Sequence, residues 1–137
     1  MKLFVHGFGY SAGVLADRLL PQGWQVFGTS RSGDGRARLA ARGIAPVDPS
    51  DPTPLASALA GTDALLLSAA PGPDGCPGHL DLAPLLEAGT ARPDWVGYLS
   101  TTGVYGDHGG RWVFERTPVC PLSPEGERRV ARSEERR

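Results

Sequence analysis

Three glycines interrupt the chain where an apolar run gives way to an amphipathic one, in the stretch LFVHGFGYSAGVLADRLL from residue 3 to residue 20. Gly7, Gly9 and Ala12 fit the spacing G-x-G-x-x-G/A, and glycine at such a junction adopts backbone angles that other residues resist. The pattern follows a strand-like run and opens a helix-like one. It therefore predicts a strand, a tight turn and a helix whose first N–H groups can face a phosphate. The alternative interpretation is a glycine-rich turn without a ligand.

Strand-like and helix-like segments alternate along the chain. The strand-like runs are Lys2–His6, Gln25–Ser30, Ile44–Asp48, Asp63–Ala69 and Trp95–Ser100. Helix-like patterns lie between them, around residues 12–19, 36–42, 54–60 and 80–88. This order predicts an α/β fold with a doubly wound parallel sheet of the Rossmann type, about five strands in the order 3-2-1-4-5. At 137 residues the chain is long enough for one domain with a core of its own.

In this setting the glycine pattern predicts a dinucleotide site. Gly7 would make the tight turn, Gly9 would keep side chains away from the pyrophosphate, and Ala12 would let the helix pack on the strand. His6, directly before the turn, is expected to be a packed residue. The turn residues expected to contact the cofactor are Gly7, Phe8, Gly9, Tyr10, Ser11 and Ala12.

The end of the second strand bears on which dinucleotide is preferred. An Asp or Glu at this point would hold the ribose 2′-hydroxyl of NAD, but Thr29, Ser30 and Arg31 stand there instead. Ser30 and Arg31 can hydrogen-bond and neutralise a 2′-phosphate, because the arginine fork matches phosphate geometry. We therefore expect NADP as the cofactor, with NAD as the alternative. The other interpretation of Arg31 is a solvated loop charge.

Composition argues against several other classes of protein. The formal net charge of −1 predicts no nucleic-acid partner, and no apolar run approaches the roughly 20 residues of a membrane span. The chain opens on a strand pattern rather than on a signal peptide. Cys76 and Cys120 lie far apart without a CxxC motif, which suits a reducing cytoplasm, and the spacing of the three histidines predicts no metal site.

The stretch YLSTTGVYGDHGG, from Tyr98 to Gly110, resembles the extended short-chain dehydrogenase/reductase family, the NAD-dependent epimerase/dehydratase group. In that family a strand ends in Ser/Thr residues that are followed by V-Y-G. Together with GxGYSA, the pattern looks most like atypical bacterial members described only as oxidoreductases. The resemblance implies an oxidoreductase or epimerase-like protein that acts on a small carbonyl, alcohol or sugar-nucleotide substrate. The residues to which it gives roles are Asp48 near the adenine, Ser68, Ala69 and Ala70 in a loop beside the cofactor, and Thr101 as the catalytic hydroxyl.

One element departs from the family pattern. The family's SPYxxxK element aligns with the segment 123–129, where Glu125 takes the place of the tyrosine and Arg129 that of the lysine. An ionised glutamate cannot donate a proton as a phenol does, and arginine stays protonated. The alternative function is therefore a non-catalytic NADP-binding module, such as a sensor or pseudoenzyme, or an inactive fragment.

The number of strands also bears on domain organisation. Five strands are predicted, whereas the doubly wound fold normally has about six or more. We expect residues 1–137 to form an NAD(P)-binding Rossmann domain that is incomplete at its C-terminus, with the substrate domain absent. An apolar fifth strand at the sheet edge could pair with a second copy in a homodimer.

Overall fold

The sheet is the element on which the rest of the fold is built. The computed structural model describes residues 1–134, with the backbone alone for residues 132–134. Five parallel strands pair in the order β3-β2-β1-β4-β5, so the predicted fold class and strand order are confirmed. Their bounds lie within two residues of the predicted ones: β1 Lys2–His6, β2 Gln25–Thr29, β3 Ala45–Val47, β4 Ala64–Leu67 and β5 Trp95–Tyr98.

The helices follow the strands in the predicted alternation: α1 Tyr10–Leu19, α2 Gly33–Ala41, α3 Pro52–Leu59, α4 Pro77–Glu87 and α5 Pro124–Glu134. All four predicted helices begin two or three residues earlier than the apolar periodicity indicated, and in α2 and α3 a capping side chain precedes the first apolar residue. Ser32 Oγ accepts a hydrogen bond from the Gly35 N–H at 3.1 Å, and Asp51 Oδ1 accepts one from the Thr53 N–H at 3.1 Å. Each bond satisfies an N–H group that the helix itself leaves unpaired.

The core lies on both faces of the sheet. Successive side chains of a strand point to opposite faces, so Leu3 and Val5 pack on one side while Phe4 packs on the other. On the first side they meet α1 through Ala12 and Ala16. On the second side the buried cluster is Phe4, Val47, Leu55, Ala58, Leu59, Leu65, Leu67, Leu82 and Ala91. The continuously apolar strand β4 is buried along its whole length, as a central strand covered on both faces must be.

The chain divides into two compact units. The first comprises residues 1–70 and 78–99 and contains the sheet with α1, α2, α3 and most of α4. The second comprises residues 71–77 together with the chain from Ser100 onward, and it contains a 3₁₀ turn at Thr102–Tyr105 and α5. Within residues 1–134, no helix has both the length and the apolar character that crossing a membrane requires.

Gly7 lies at a tight turn of the first unit, directly after β1. Its φ of +82° lies in the left-handed region, and a Cβ at this position would lie 2.5 Å from the Ala69 backbone nitrogen. No side chain fits in that space, because the neighbour is backbone rather than the end of a flexible side chain. Gly9 differs, since a Cβ there would meet no atom within 4 Å.

We expect Gly7→Ala to lower the free energy of unfolding by about 2–4 kcal/mol, through backbone strain and overpacking. Gly9→Ala is the matched control, because its Cβ would enter open space, and it should cost no more than about 1 kcal/mol, as expected when alanine replaces an N-cap glycine. Urea denaturation followed by circular dichroism measures both. Equal stabilities for the two variants would contradict the assigned turn geometry.

Candidate functional site

The carboxyl ends of β1, β2 and β4 meet around one backbone junction. The Gly7 N–H donates to Thr29 Oγ1 at 2.8 Å, which ties β1 to the end of β2. The N–H groups of Ser68 and Ala69 donate to the His6 carbonyl oxygen at 2.8 and 3.1 Å, which ties β1 to the end of β4. The structure therefore brings together the predicted turn, the end of β2 and the start of the segment Ser68–Ala70.

The start of α1 can receive an anion. Gly9 is the N-cap, no side chain caps this helix, and its first turn contains no acidic residue. The free N–H groups and the positive end of the helix dipole are therefore not neutralised by the helix itself. Tyr10 and Ser11 are exposed beside them, whereas Ala12 is buried against the sheet as predicted.

A cleft of about 410 Å³ opens beside the predicted turn. Its lining residues are Phe8, Gly9, Tyr10, Ser30, Gly35, Arg38, Leu39 and Arg42. Arg38 and Arg42 on the α2 side were not predicted from the sequence, where they look like ordinary exposed helix charges. Arg42 is held by the Asp17 carboxylate at 2.7 Å and by the Gly13 carbonyl oxygen at 3.0 Å. The Arg38 guanidinium makes no hydrogen bond or ion pair within residues 1–134.

Asp48 and Arg36 organise the loop that follows β2. Arg36 Nη1 lies 2.7 Å from Asp48 Oδ2 and also donates to the carbonyl oxygens of Ser30 and Arg31, at 2.8 and 3.0 Å. Hydrogen bonds from the Ser50 hydroxyl and N–H, together with the nearby Arg36 charge, hold the pKa of Asp48 below its usual value. The Asp48 carboxylate is thus engaged within the protein. Its role near the adenine stays a prediction.

Ser30 and Arg31, the two residues predicted to bind a 2′-phosphate, are both available in this loop. Arg31 is exposed, and its guanidinium has no hydrogen bond or ion pair among the residues that the structure describes. The Ser30 hydroxyl lies against Gly35 and reaches the Ser32 carbonyl oxygen only at 3.5 Å, so it remains able to bind another acceptor. Ser30 lines the cleft.

His6 is buried, as expected, but it is also paired. Its side chain is 4% exposed, and Nε2 lies 2.7 Å from Asp81 Oδ2 in α4. Burial lowers the pKa of His6 below 6.5, and the nearby Arg31 charge lowers it further, while the hydrogen bond and charge of Asp81 oppose that shift. The pairing spans 75 residues of sequence, so no local pattern could have indicated it.

The second unit contains the other predicted catalytic residues. Thr101 Oγ1 accepts a hydrogen bond from the Gly103 N–H at 3.2 Å and caps the 3₁₀ turn. Glu125 and Arg129 lie one helical turn apart in α5 and form an ion pair at 3.4 Å, with the Arg129 side chain 10% exposed and that of Glu125 55% exposed. The start of α5 packs on the turn, since a Cβ on Gly126 would lie 3.1 Å from the Gly103 carbonyl oxygen.

Solved structures share this fold over nearly the whole chain. A conserved protein of unknown function from Silicibacter pomeroyi is 42% identical, with a TM-score of 0.84, over 97% of this chain and 47% of that one. A provisionally assigned NAD-dependent epimerase/dehydratase from Methylobacillus flagellatus is 27% identical, with a TM-score of 0.68, over 95% of this chain and 48% of that one. A short-chain dehydrogenase/reductase superfamily protein from Agrobacterium tumefaciens, solved with bound NAD, is 23% identical, with a TM-score of 0.69, over 98% of this chain and 43% of that one.

The resemblance to the short-chain dehydrogenase/reductase and NAD-dependent epimerase/dehydratase proteins is confirmed. The chain spans about half the length of the structures of this family that it matches. No family model and no curated protein sequence matches the chain. The similarity to these proteins therefore rests on the fold and on the short motifs.

The lowered pKa of His6 predicts a pH-dependent stability. The unfolded chain takes up this proton at a pKa of about 6.5, and the folded chain takes it up only at lower pH. The stability contributed by neutral His6 is therefore fully present above about pH 6.5 and is lost as the pH falls towards the folded pKa. Urea denaturation at a series of pH values measures it.

His6→Gln should remove this part of the pH dependence, because no titrating group remains at the site. His79→Gln is the matched control, since His79 is an exposed histidine on the same helix as Asp81, and it should keep the wild-type profile. Parallel profiles for the wild type and His6→Gln would contradict the assignment.

Proposed function

We propose that the chain is the cofactor-binding part of an NAD(P)-dependent oxidoreductase or epimerase-like protein, and that it prefers NADP to NAD. The observation that carries this proposal is the uncapped start of α1, at the point between β1 and β4 where the strand order reverses, together with an exposed Arg31 in the loop after β2 whose guanidinium has no partner among the described residues. Ligands of doubly wound sheets bind at this crevice. The bound NAD of the Agrobacterium tumefaciens protein supports a dinucleotide as the ligand class.

The turn would hold the pyrophosphate through backbone groups. No side chain caps the first N–H groups of α1, and the space beside Gly9 is open, since a Cβ there would meet no atom within 4 Å. Such donors, together with the helix dipole, favour an anion at this position. Phe8, Tyr10 and Ser11 would flank it, and the segment Ser68–Ala70 would border the nicotinamide half, as the family resemblance implies.

The preference for NADP follows from how the arginines are engaged. Arg36 is paired with Asp48, and Arg42 with Asp17, so the charge of each guanidinium is already balanced by a carboxylate. Arg31, in the loop after β2, is left as the cation that can pair with a 2′-phosphate, and Arg38, which lines the cleft, is a second candidate. No carboxylate stands at residues 30–33, directly after β2, to repel that phosphate or to hold a ribose hydroxyl.

The catalytic part of the proposal concerns the second unit. The nicotinamide would supply or accept hydride, and Thr101 keeps a hydroxyl hydrogen that can be donated to a substrate carbonyl while its oxygen caps the turn. Glu125 is paired with Arg129 and cannot act as the family's phenol does. This pairing favours the second candidate function, a non-catalytic NADP-binding module.

The remaining features of the whole protein are proposals as well. We propose that residues 1–137 act as the NAD(P)-binding domain and that the substrate, a small carbonyl, alcohol or sugar nucleotide, is chosen by the half of the relatives' length that the chain does not span. Two free thiols, Cys76 and Cys120, suit a cytoplasmic protein. A homodimer through β5, whose Trp95 and Val96 are exposed at the sheet edge, stays a prediction.

The cofactor preference is tested by titrating the protein with NADPH and with NADH and following cofactor fluorescence. We expect tighter binding of NADPH, and Arg31→Ala should remove most of the difference, roughly 1–3 kcal/mol for a charge-assisted contact. Arg92→Ala removes an exposed arginine that precedes β5, at the opposite end of the strands, and should leave the preference intact. Equal affinities of the wild type for the two cofactors would refute the proposal.

Turnover separates the two candidate functions. This chain has Glu125 and Arg129 where the family has its tyrosine and lysine. It should therefore lack the roughly 10²–10⁴-fold contribution of positioned acid–base groups, and NADPH should be oxidised very slowly with carbonyl substrates. Glu125→Tyr combined with Arg129→Lys should not restore the rate in this chain alone, because the substrate-selecting part is not supplied. Rapid NADPH-dependent reduction that Thr101→Ala abolishes would show instead that the site is complete.

A further inference from the structure

His6 contacts both ends of the connection that leaves β4 and returns in α4. Its carbonyl oxygen accepts the N–H groups of Ser68 and Ala69, directly after β4, at 2.8 and 3.1 Å. Its ring nitrogen Nε2 lies 2.7 Å from the Asp81 carboxylate, in the second turn of α4. His6 therefore binds the chain at two places: directly after β4 and in α4.

The ring has one polar anchor. A carboxylate only accepts hydrogen bonds, so Nε2 carries the proton and Nδ1 is the unprotonated nitrogen. Nδ1 is buried and has no hydrogen-bond partner among the residues that the structure describes. It faces Gly78, where a Cβ would lie 3.1 Å from Nδ1 and 2.9 Å from Leu67 Cδ2. The orientation of the ring therefore depends on Asp81.

The same residue leads into the predicted cofactor turn. The peptide group after His6 belongs to Gly7, whose N–H donates to Thr29 Oγ1 and whose Cα has no room for a side chain beside Ala69. A displacement of the His6 ring would thus reach Gly7 and Ala69 through one peptide unit. Loss of the Asp81 acceptor would leave a buried N–H unsatisfied and would favour such a displacement.

We propose that His6 and Asp81 form a positioning pair that sets where Ser68 and Ala69 lie beside Gly7, without either side chain touching the dinucleotide. The consequence for dinucleotide affinity rests on the proposed function, whereas the coupling between the ring and the turn does not. Among the described residues, the charged groups that act on the ring are Asp81, from α4, and Arg31, from the loop after β2. Protonation of the ring then gives a means to observe the coupling.

The coupling is measured in the protein without ligand, by NMR titration with pH. The Gly7 and Ala69 amide signals should shift with the midpoint of the His6 ring. Asp81→Asn should move that midpoint to lower pH, because the charge that favours the protonated ring is removed. Glu87→Gln, an exposed carboxylate at the end of the same helix, should leave the midpoint unchanged. Amide signals of Gly7 and Ala69 that do not follow the ring would overturn the proposal.

The effect on binding is measured with NADPH as the probe. Asp81→Ala should raise the dissociation constant by about three- to tenfold, the range expected for one hydrogen bond. Asp81→Asn should raise it less, because the amide oxygen can still accept from Nε2–H, and Glu87→Ala should not change it. An unchanged dissociation constant in folded Asp81→Ala would overturn the proposal.

The two experiments fail independently. If the wild type binds no NADPH, the proposed function fails, and the titration of the Gly7 and Ala69 signals still decides on the positioning pair. If Asp81→Ala does not fold, the midpoint of Asp81→Asn decides instead.

Discussion

The contact between Gly7 and the backbone of Ala69 is the constraint on which the first unit depends. If a residue with a side chain followed β1 in place of Gly7, the chain could not approach the end of β4 so closely, since a Cβ at Gly7 would lie 2.5 Å from the Ala69 nitrogen. The close approach lets the His6 carbonyl accept two N–H groups from the neighbouring strand end, while Gly7 itself bonds to Thr29 on the other side. Three strand ends are thereby held at one junction, and α1 starts from it with its N–H groups free.

Charge pairing around β2 and α2 then divides the arginines into two kinds. Arg36 is held by a carboxylate and by two backbone carbonyl oxygens in the loop after β2, and Arg42, at the end of α2, is held by a carboxylate and one carbonyl oxygen of α1. Arg31 and Arg38 stay unpaired among residues 1–134 and border the open cleft or the loop beside it. The same residue type therefore serves structure at two positions and is available to an anion at the other two.

Much of the fold could be predicted because its signals are local. The alternation of strand-like and helix-like runs, and glycines at the first strand–helix junction, depend only on side-chain periodicity and on backbone freedom within a few residues. Ends of helices were less predictable, because Ser32 and Asp51 cap α2 and α3 ahead of the apolar pattern. For the site, the turn Gly7–Ala12 and the exposed Arg31 followed from the sequence. The roles of Thr101, Glu125 and Arg129 followed from a family resemblance alone.

The sequence by itself determined the parallel α/β sheet and the glycine turn after its first strand. It also determined that no carboxylate directly follows the second strand. Only the tertiary structure decided which charges remain free and which buried group is paired. Asp17 and Arg42 lie 25 residues apart, and His6 and Asp81 lie 75 apart. Such pairs form because the sheet brings distant strand ends and helices within hydrogen-bond distance. Local sequence patterns cannot predict contacts between residues so far apart in the chain.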